Sequence, residues 1–315
     1  MIVLLLCAAF IVALYLAAGV MLLFSIWHWH RTSTWRMHRN GIAPLSPVFI
    51  WARRVIFSLA LLGVAVAAEF FVEPYWLEVT HVRIASPKLL KGGRTVRIAQ
   101  ISDLHCDRKP RLEERLPEII ASQRPDVIVF TGDAINVPDG LPIFKRCMTR
   151  LAEIAPTFAV RGNWDVNTSY LFDGTGVHPL DREAVTLCIG GEEIWIGGVA
   201  IGRPLPSGLC FQNAPPNALR IFLYHFPTVG VTEAAKAKVD LCLAGHTHGG
   251  QVVIPFCGSI PRLAGYDEKY RAGLYQVEDT WLYVNRGIGM EGGPWPRVRF
   301  LARPEVTILD IVPQD

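Results

Sequence analysis

Hydrophobic and polar positions divide the chain into two regions with different rules. Residues 2–27 carry no charge. At helical rise they would span about 39 Å, enough to cross a bilayer with tilt. A cleaved signal peptide is the competing reading, but it needs a basic stretch ahead of the apolar run, and no Lys or Arg precedes this one. A second apolar stretch covers residues 55–72, where Glu69 leaves a clean core of only 55–68. A core that short suits an interfacial or re-entrant segment as well as a true span. Arg31, Arg36, Arg39, Arg53 and Arg54 lie between the two runs, and Trp27, Trp29, Trp35, Trp51 and Trp76 flank them. Cations and amphipathic aromatics so placed read as a headgroup-level anchor rather than as catalytic groups. Residues 1–79 are therefore expected to be a membrane anchor of one or two helices (2–27 and 55–72), and 80–315 a separate domain.

In the second region short apolar runs alternate with Gly, Pro and Asp. The pattern predicts strands at 95–101, 126–131 and 157–160, with helices at 111–122 and Leu141–Ala152 between them. Such a βαβαβ run implies a parallel sheet covered by helices. Hairpin-like pairs follow at 185–189 with 194–199 and at Gly273–Val277 with 281–285. Further strands fit Leu219–Leu223, Leu241–Ala244 and 306–311. A mixed α/β sandwich of two sheets accommodates these better than one doubly wound sheet.

Composition sharpens the division. Lys and Arg number 31 against 28 acids, a net +3, too little for the concentrated basic face that nucleic acid requires. The mean hydropathy of +0.29 is high for a globular enzyme. Residues 1–79 explain much of it, with five Arg, no Lys and three acids, whereas the remainder holds 26 basic and 25 acidic residues. Disorder and a disulfide-dense scaffold are both excluded. Cys106, Cys147, Cys188, Cys210, Cys242 and Cys257 show no paired spacing and read as reduced thiols. The arginine-rich segment should be cytoplasmic. Two spans would then place residue 80 onward outside, and one span would keep it in the cytoplasm, the side the thiols favour.

The chemistry gathers where strands end. The runs are Ser102-Asp103-Leu104-His105, Thr131-Gly132-Asp133, Arg161-Gly162-Asn163-Trp164-Asp165, Tyr224-His225 and Gly245-His246-Thr247-His248. Asp, Asn and His are donors that hard or borderline divalent metals accept. Loops at the carboxyl ends of strands are where α/β folds assemble sites. Each run alone is weak; five in order are not.

In that order, DLH, GD, GNWD, a lone His and GHTH resemble the five signature blocks of the calcineurin-like metallophosphoesterases. The later GHTHGGQVVIP, VNRGIG and RPEVTIL resemble their YkuE-like branch. The resemblance covers about residues 80–315. It implies a four-layer αββα sandwich with two divalent metal ions at the sheet ends. By motif position Asp103, His105 and His248 would hold one ion, Asn163, His225 and His246 the other, and Asp133 would bridge both. Manganese is the metal expected, while Mg, Fe and Zn also suit the donor set. Two such cations about 4 Å apart clamp a phosphoryl group and activate water against it. Asn163, a neutral donor, leaves the site the positive charge that the transition state needs.

Two positions depart from the family pattern. Trp164 stands where the family most often has a His credited with protonating the leaving group, and an indole N–H cannot serve as that acid. Asn136 stands where the second block most often has Asp. A binding scaffold that has lost catalysis is the bland reading of Trp164, but all seven ligand positions are intact. A general acid is worth roughly 10²–10⁴-fold when the departing group is basic. Its loss points to a leaving group that is already acidic, as when a P–O–P bond is cut. Joined to the anchor, this suggests a lipid-linked nucleoside diphosphate as substrate. The resemblance extends to the UDP-2,3-diacylglucosamine pyrophosphatases of lipid A synthesis, which release UMP and a lipid 1-phosphate. Some of these are YkuE-like with an N-terminal membrane segment, and others lack the His of the third block. Their reaction belongs to the cytoplasmic face of the inner membrane and requires one span. The alternative is a broad phosphodiesterase or phosphomonoesterase outside the cytoplasm. Expected partners are thus a phosphate- or pyrophosphate-containing, lipid-linked substrate and the membrane, without nucleic acid. Arg108, Arg161, Arg286 and Arg299 lie near the blocks as either phosphate contacts or structural cations, and Cys106 reads as a packing residue.

Overall fold

A computed structural model describes residues 19–20, 24, 47–205, 207–254, 256–259, 269–291 and 297–314. The apolar run expected as a helix at 2–27 lies outside the described residues, apart from Gly19, Val20 and Phe24. The chain divides into two units, Met1–Phe71 and Val72–Asp315.

In the first unit helix α1 covers Pro47–Val72. Its 26 residues rise about 39 Å, and none of its most apolar stretch is buried. The sequence leaves this segment open between a short interfacial stretch and a true span, and the helix continues without a break through Glu69. Glu69 does not end the apolar run, because Glu is a good helix former and lies within the last turn. With Trp51 to Ile56 included, the helix is long enough to cross a membrane.

The second unit is built on two six-stranded sheets. The first contains β1 (Glu78–Ser86), β2 (Val96–Ile101), β3 (Val127–Phe130), β4 (Thr157–Ala159), β5 (His178–Pro179) and β14 (Glu305–Pro313), in the order β1-β14-β2-β3-β4-β5. The second contains β6 (Glu183–Ile189), β7 (Glu192–Gly198), β8 (Leu219–Leu223), β9 (Leu241–Ala244), β12 (Gly273–Val277) and β13 (Thr280–Val284), ordered β12-β13-β9-β8-β7-β6. A small hairpin, β10 (Val253–Ile254) with β11 (Gly258–Ser259), stands apart from both.

Strand alternation sorts side chains into three apolar layers. Val96, Ile98, Val127 and Val129 of the first sheet meet Ile194, Ile196, Ile221 and Leu243 of the second. The opposite face of the first sheet, with Ile101, Ile128 and Phe130, packs on helices α2 (Leu116–Gln123) and α3 (Leu141–Ala152) through Leu116, Ile120, Phe144 and Met148. The outer face of the second, with Phe222, Cys242 and Val284, is covered by α4 (Pro227–Lys236) through Val231 and Ala234. The result is the expected αββα sandwich.

Differences are local. Helix α2 starts at Leu116 rather than 111, and Pro117, which has no N–H to lose, sits in its first turn. Residues 111–115 form turns instead, with the Arg111 N–H donating to the Glu113 carboxylate. Strand β1 was not foreseen. It pairs only with β14, in parallel, and as an edge strand it keeps polar His81 and Arg83. Side chains join the two sheets near the strand ends. Gln100 Nε2 donates to the Ala244 carbonyl (2.9 Å), and Tyr283 Oη donates to Glu305 Oε1 (2.8 Å).

Candidate metal centre

All five polar runs lie directly beyond the carboxyl ends of central strands: β2, β3 and β4 in the first sheet, β8 and β9 in the second. Facing edges of the sandwich thus deliver their loops to one place. Asp103, His105 and His248 bring one donor each to within 4.8 Å of one another, and Asp133, His225 and His246 do the same. The Asp133 Oδ2 atom lies between the groups, 3.5 Å from His105 Nε2 and 3.1 Å from His225 Nε2. Asn163 Oδ1 is 2.9 Å from His225 Nε2. The structure therefore gathers all seven residues expected from the motifs.

The backbone that achieves this is strained. Asp103 (φ 49°), His105 (42°), Asp133 (62°), His246 (72°) and His248 (51°) all adopt left-handed conformations, which L-residues avoid because Cβ crowds the following carbonyl. Strain of this kind concentrates at functional sites. Glycines make room: a Cβ at Gly162 would overlap the Asp133 carboxylate, and one at Gly245 would overlap Ser102 and Asp103.

The donors fit divalent cations. Both His105 ring nitrogens are buried without a hydrogen-bond partner. His225 Nδ1 donates to the Thr131 carbonyl (2.8 Å), which leaves Nε2 facing two oxygens, Asp133 Oδ2 and Asn163 Oδ1. A carbonyl that orients the far nitrogen of an imidazole is a common support for a ligating His. The electrostatics follow from burial and from this crowding. Burial lowers His105 and His246 to about 4 and pushes His248 well down. It also raises Asp103 to about 7, helped by Asp133. Burial opposes the charge on His225 as well, but the adjoining Asp133 carboxylate outweighs it and holds the imidazole up at about 9. The same pairing keeps Asp133 low despite its burial.

Residues 96–250 match the profile of the calcineurin-like phosphoesterases. The chain is 31% identical to the phosphodiesterase YaeI of Escherichia coli (strain K12), over 77% of this chain and 91% of that protein. The chain belongs to the calcineurin-like phosphoesterases. It is also 30% identical to the uncharacterized metallophosphoesterase YkuE of Bacillus subtilis (strain 168), over 76% of this chain and 87% of that one. The UDP-2,3-diacylglucosamine pyrophosphatase LpxG of Chlamydia muridarum is 25% identical over 76% and 90%. This calcineurin-like phosphoesterase is accordingly a hydrolase of phosphoric esters, and its fold implies a site for two divalent metal ions.

Other residues acquire definite places. The Trp164 N–H donates to Asp133 Oδ1 (2.9 Å), and its ring meets His105 edge-on with centroids 5.4 Å apart. Asn136 Nδ2 donates to the carbonyls of His105 and Met290, both at 3.0 Å. An Asp there would have no N–H for either, which accounts for the departure at that position. Arg161 pairs with Asp181, Arg108 with Asp139, and Arg286 with Glu78 and Glu305. Arg299 is fully buried and donates to the carbonyls of Gly289 (2.9 Å), Ala302 (2.7 Å) and Arg286 (3.0 Å). Cys106 is buried, as a packing residue should be. Asp165 was overlooked as a site residue although it lies in the third block. Its carboxylate accepts the N–H groups of Asp133 (2.8 Å), Ala134 (2.9 Å) and Gly162 (2.9 Å), clamping two of the loops together.

Proposed function

We propose that this protein is a membrane-anchored dinuclear phosphohydrolase that cleaves the P–O–P bond of a lipid-linked nucleotide, UDP-2,3-diacylglucosamine or a close relative, to UMP and a lipid phosphate. The observation that carries the reading is Trp164, whose indole fills the place beside His105 that the family usually gives to a proton-donating His. Asp103, His105 and His248 would hold one ion and Asn163, His225 and His246 the other, with Asp133 between them; the donor distances support this assignment. Manganese suits the set. When bound, the two ions supply Lewis-acid charge to the phosphoryl oxygens and activate water at neutral pH. The chain's own contribution is positional. Thr131 and Asp165 fix the loops, Asn163 adds a donor without adding negative charge, and Trp164 offers no proton to a departing alkoxide. A phosphate leaving group needs none. Helix α1 would hold the catalytic unit at the membrane that contains the lipid, and the pyrophosphatase relative, though more distant, supports that substrate class.

A second reading has its own support. If α1 crosses the membrane with the arginines on the cytoplasmic side, residues after Tyr75 emerge outside the cytoplasm, and a broad phosphodiesterase on that side would fit the likeness to the phosphodiesterase YaeI. Full-length protein loaded with Mn²⁺ distinguishes the two. Release of UMP from UDP-diacylglucosamine faster than cleavage of a dialkyl phosphodiester is expected; the opposite preference would overturn the first reading. A phosphatase reporter fused after residue 80 assigns the side, and an active reporter would favour the second.

A further inference from the structure

Twelve non-glycine residues have a left-handed backbone among those described. Ten are charged or polar, five of them in the metal centre. The other two are Phe256 (φ 65°) and Leu301 (φ 55°), and both face outward, at 108% and 54% exposure. A bulky apolar residue in that conformation is disfavoured by its own Cβ, and exposing it forgoes the reward of burial. Two such positions ask for an apolar environment.

The two are joined through hydrogen bonds. Phe256 caps the β10–β11 hairpin. At the root of the hairpin the Val253 N–H donates to the Phe300 carbonyl (2.9 Å), and the Phe300 N–H donates to the Gln251 carbonyl (3.0 Å). The next residue, Leu301, donates its N–H to Glu73 Oε2 (2.6 Å), and Ala302 donates to the other Glu73 oxygen. Glu73 is the first residue after α1. Tyr75 and Trp76 follow at 56% and 53% exposure, with the Arg303 guanidinium 4.2 Å over the Trp76 ring. Tyr, Trp and Arg are the side chains that favour the headgroup layer.

We propose that this surface of the catalytic unit rests on the lipid bilayer, with Phe256 and Leu301 in the acyl region of one leaflet and Tyr75, Trp76 and Arg303 at headgroup level. The inference builds on the reading of α1 as a membrane anchor. It adds a second, non-helical contact with the same leaflet, tied by Glu73 to the end of that helix. Because β10 follows the His248–Gln251 loop directly, the surface borders the metal centre. An ester held in that leaflet would reach the centre without its acyl chains leaving the lipid.

The test uses the full chain in phosphatidylglycerol–phosphatidylethanolamine vesicles, with photo-crosslinking benzoylphenylalanine at position 256 or, as control, at position 90. Leu90 is also apolar and exposed, but it lies beyond the far end of β1 from Glu78. Lipid adducts at 256 at least tenfold above those at 90 are expected. Equal yields at the two positions, or adducts at 256 to a second copy of the chain, would overturn the proposal. A companion variant combines Phe256→Asn with Leu301→Asn, since Asn tolerates left-handed backbone. Turnover of a soluble phosphodiester should be unchanged while turnover of a vesicle-embedded lipid diphosphate falls at least tenfold; absence of that selective loss counts against the surface. Wild-type protein that crosslinks to lipid but hydrolyses no lipid diphosphate supports the surface and overturns the substrate reading alone.

Discussion

Trp164 contributes its backbone to Asp133 and its ring to His105, so replacing it tests leaving-group chemistry with little effect on the donors. Trp164→His is expected to raise turnover of dialkyl phosphodiesters by roughly 10²-fold and to leave P–O–P cleavage nearly unchanged; kcat on the two substrates checks it. Asp133→Ala and His246→Ala should each remove bound metal and lower kcat by about 10³-fold or more, with metal content per chain read alongside activity. Asp165 touches no proposed ligand atom, yet Asp165→Ala would strand three backbone N–H groups. A loss on the order of 3 kcal/mol is expected, seen as a lower Tm together with weaker metal binding. Unchanged metal affinity in a folded Asp165→Ala protein would contradict the clamp. Metal binding should also depend on pH in a defined direction. For a cation to bind, His225 must give up the proton held on it at about 9, and Asp103 the one held up to about 7. Affinity therefore falls as pH drops, about tenfold per unit between 9 and 7 and more steeply below 7. Calorimetry at pH 8 in buffers of different ionisation enthalpy should detect release of about one proton. In the metal-free protein the sign reverses for His225. Its raised pKa contributes stability that is complete below 6.5 and is lost as pH rises through about 9.

Among the elements, the buried central strands, the hairpins and helix Leu141–Ala152 could be read from the chain, and the polar edge strand β1 could not. β3 and β9 are unbroken apolar runs, and β2 and β8 are apolar apart from Arg97, Gln100 and Arg220, because sheet and helix, or sheet and sheet, cover them on either side. Their ends coincide with the metal-type residues, so the site was legible with them. β1 was not, since an edge strand is free to carry Arg83 and His81. The left-handed backbone at the donors was also hidden. Glycine is the ordinary signal for it, and here Asp and His adopt it instead. Glu69 limits the apolar core legible in the sequence to residues 55–68, whereas a single carboxylate leaves helix α1 intact. Arg299 shows a further limit, because composition cannot tell a buried arginine from a solvated one. It is the strut between the 286–289 and 299–302 segments, and Arg299→Met would leave the carbonyls of Gly289, Ala302 and Arg286 without this donor. A cost of about 3 kcal/mol is expected, or a drop in Tm of roughly 6–12 °C, measurable by calorimetry. A smaller loss on Arg286→Ala, whose partners are charged side chains at the edge of the sheet, would fit the same picture.

At the scale of the whole molecule, the charge balance and the apolar excess belong to different units, and an average over both described neither. The catalytic unit is closed by β14, the last of its described strands in chain order. β14 lies between β1 and β2, parallel to the first and antiparallel to the second. A chain ending after Arg303 should lose cooperative unfolding altogether, as read by near-ultraviolet circular dichroism, because both neighbours of β14 would be left as open edges. The same pairing sets the order of events during synthesis. β1 leaves the ribosome immediately after α1, but its partner strand is the last to appear, and the Glu73–Leu301 contact joins residues 228 apart. Contacts that distant form late. On the proposed reading of α1 as a membrane anchor, the enzyme is committed to one side of the membrane while still unfolded, and its site takes shape only after that choice has been made.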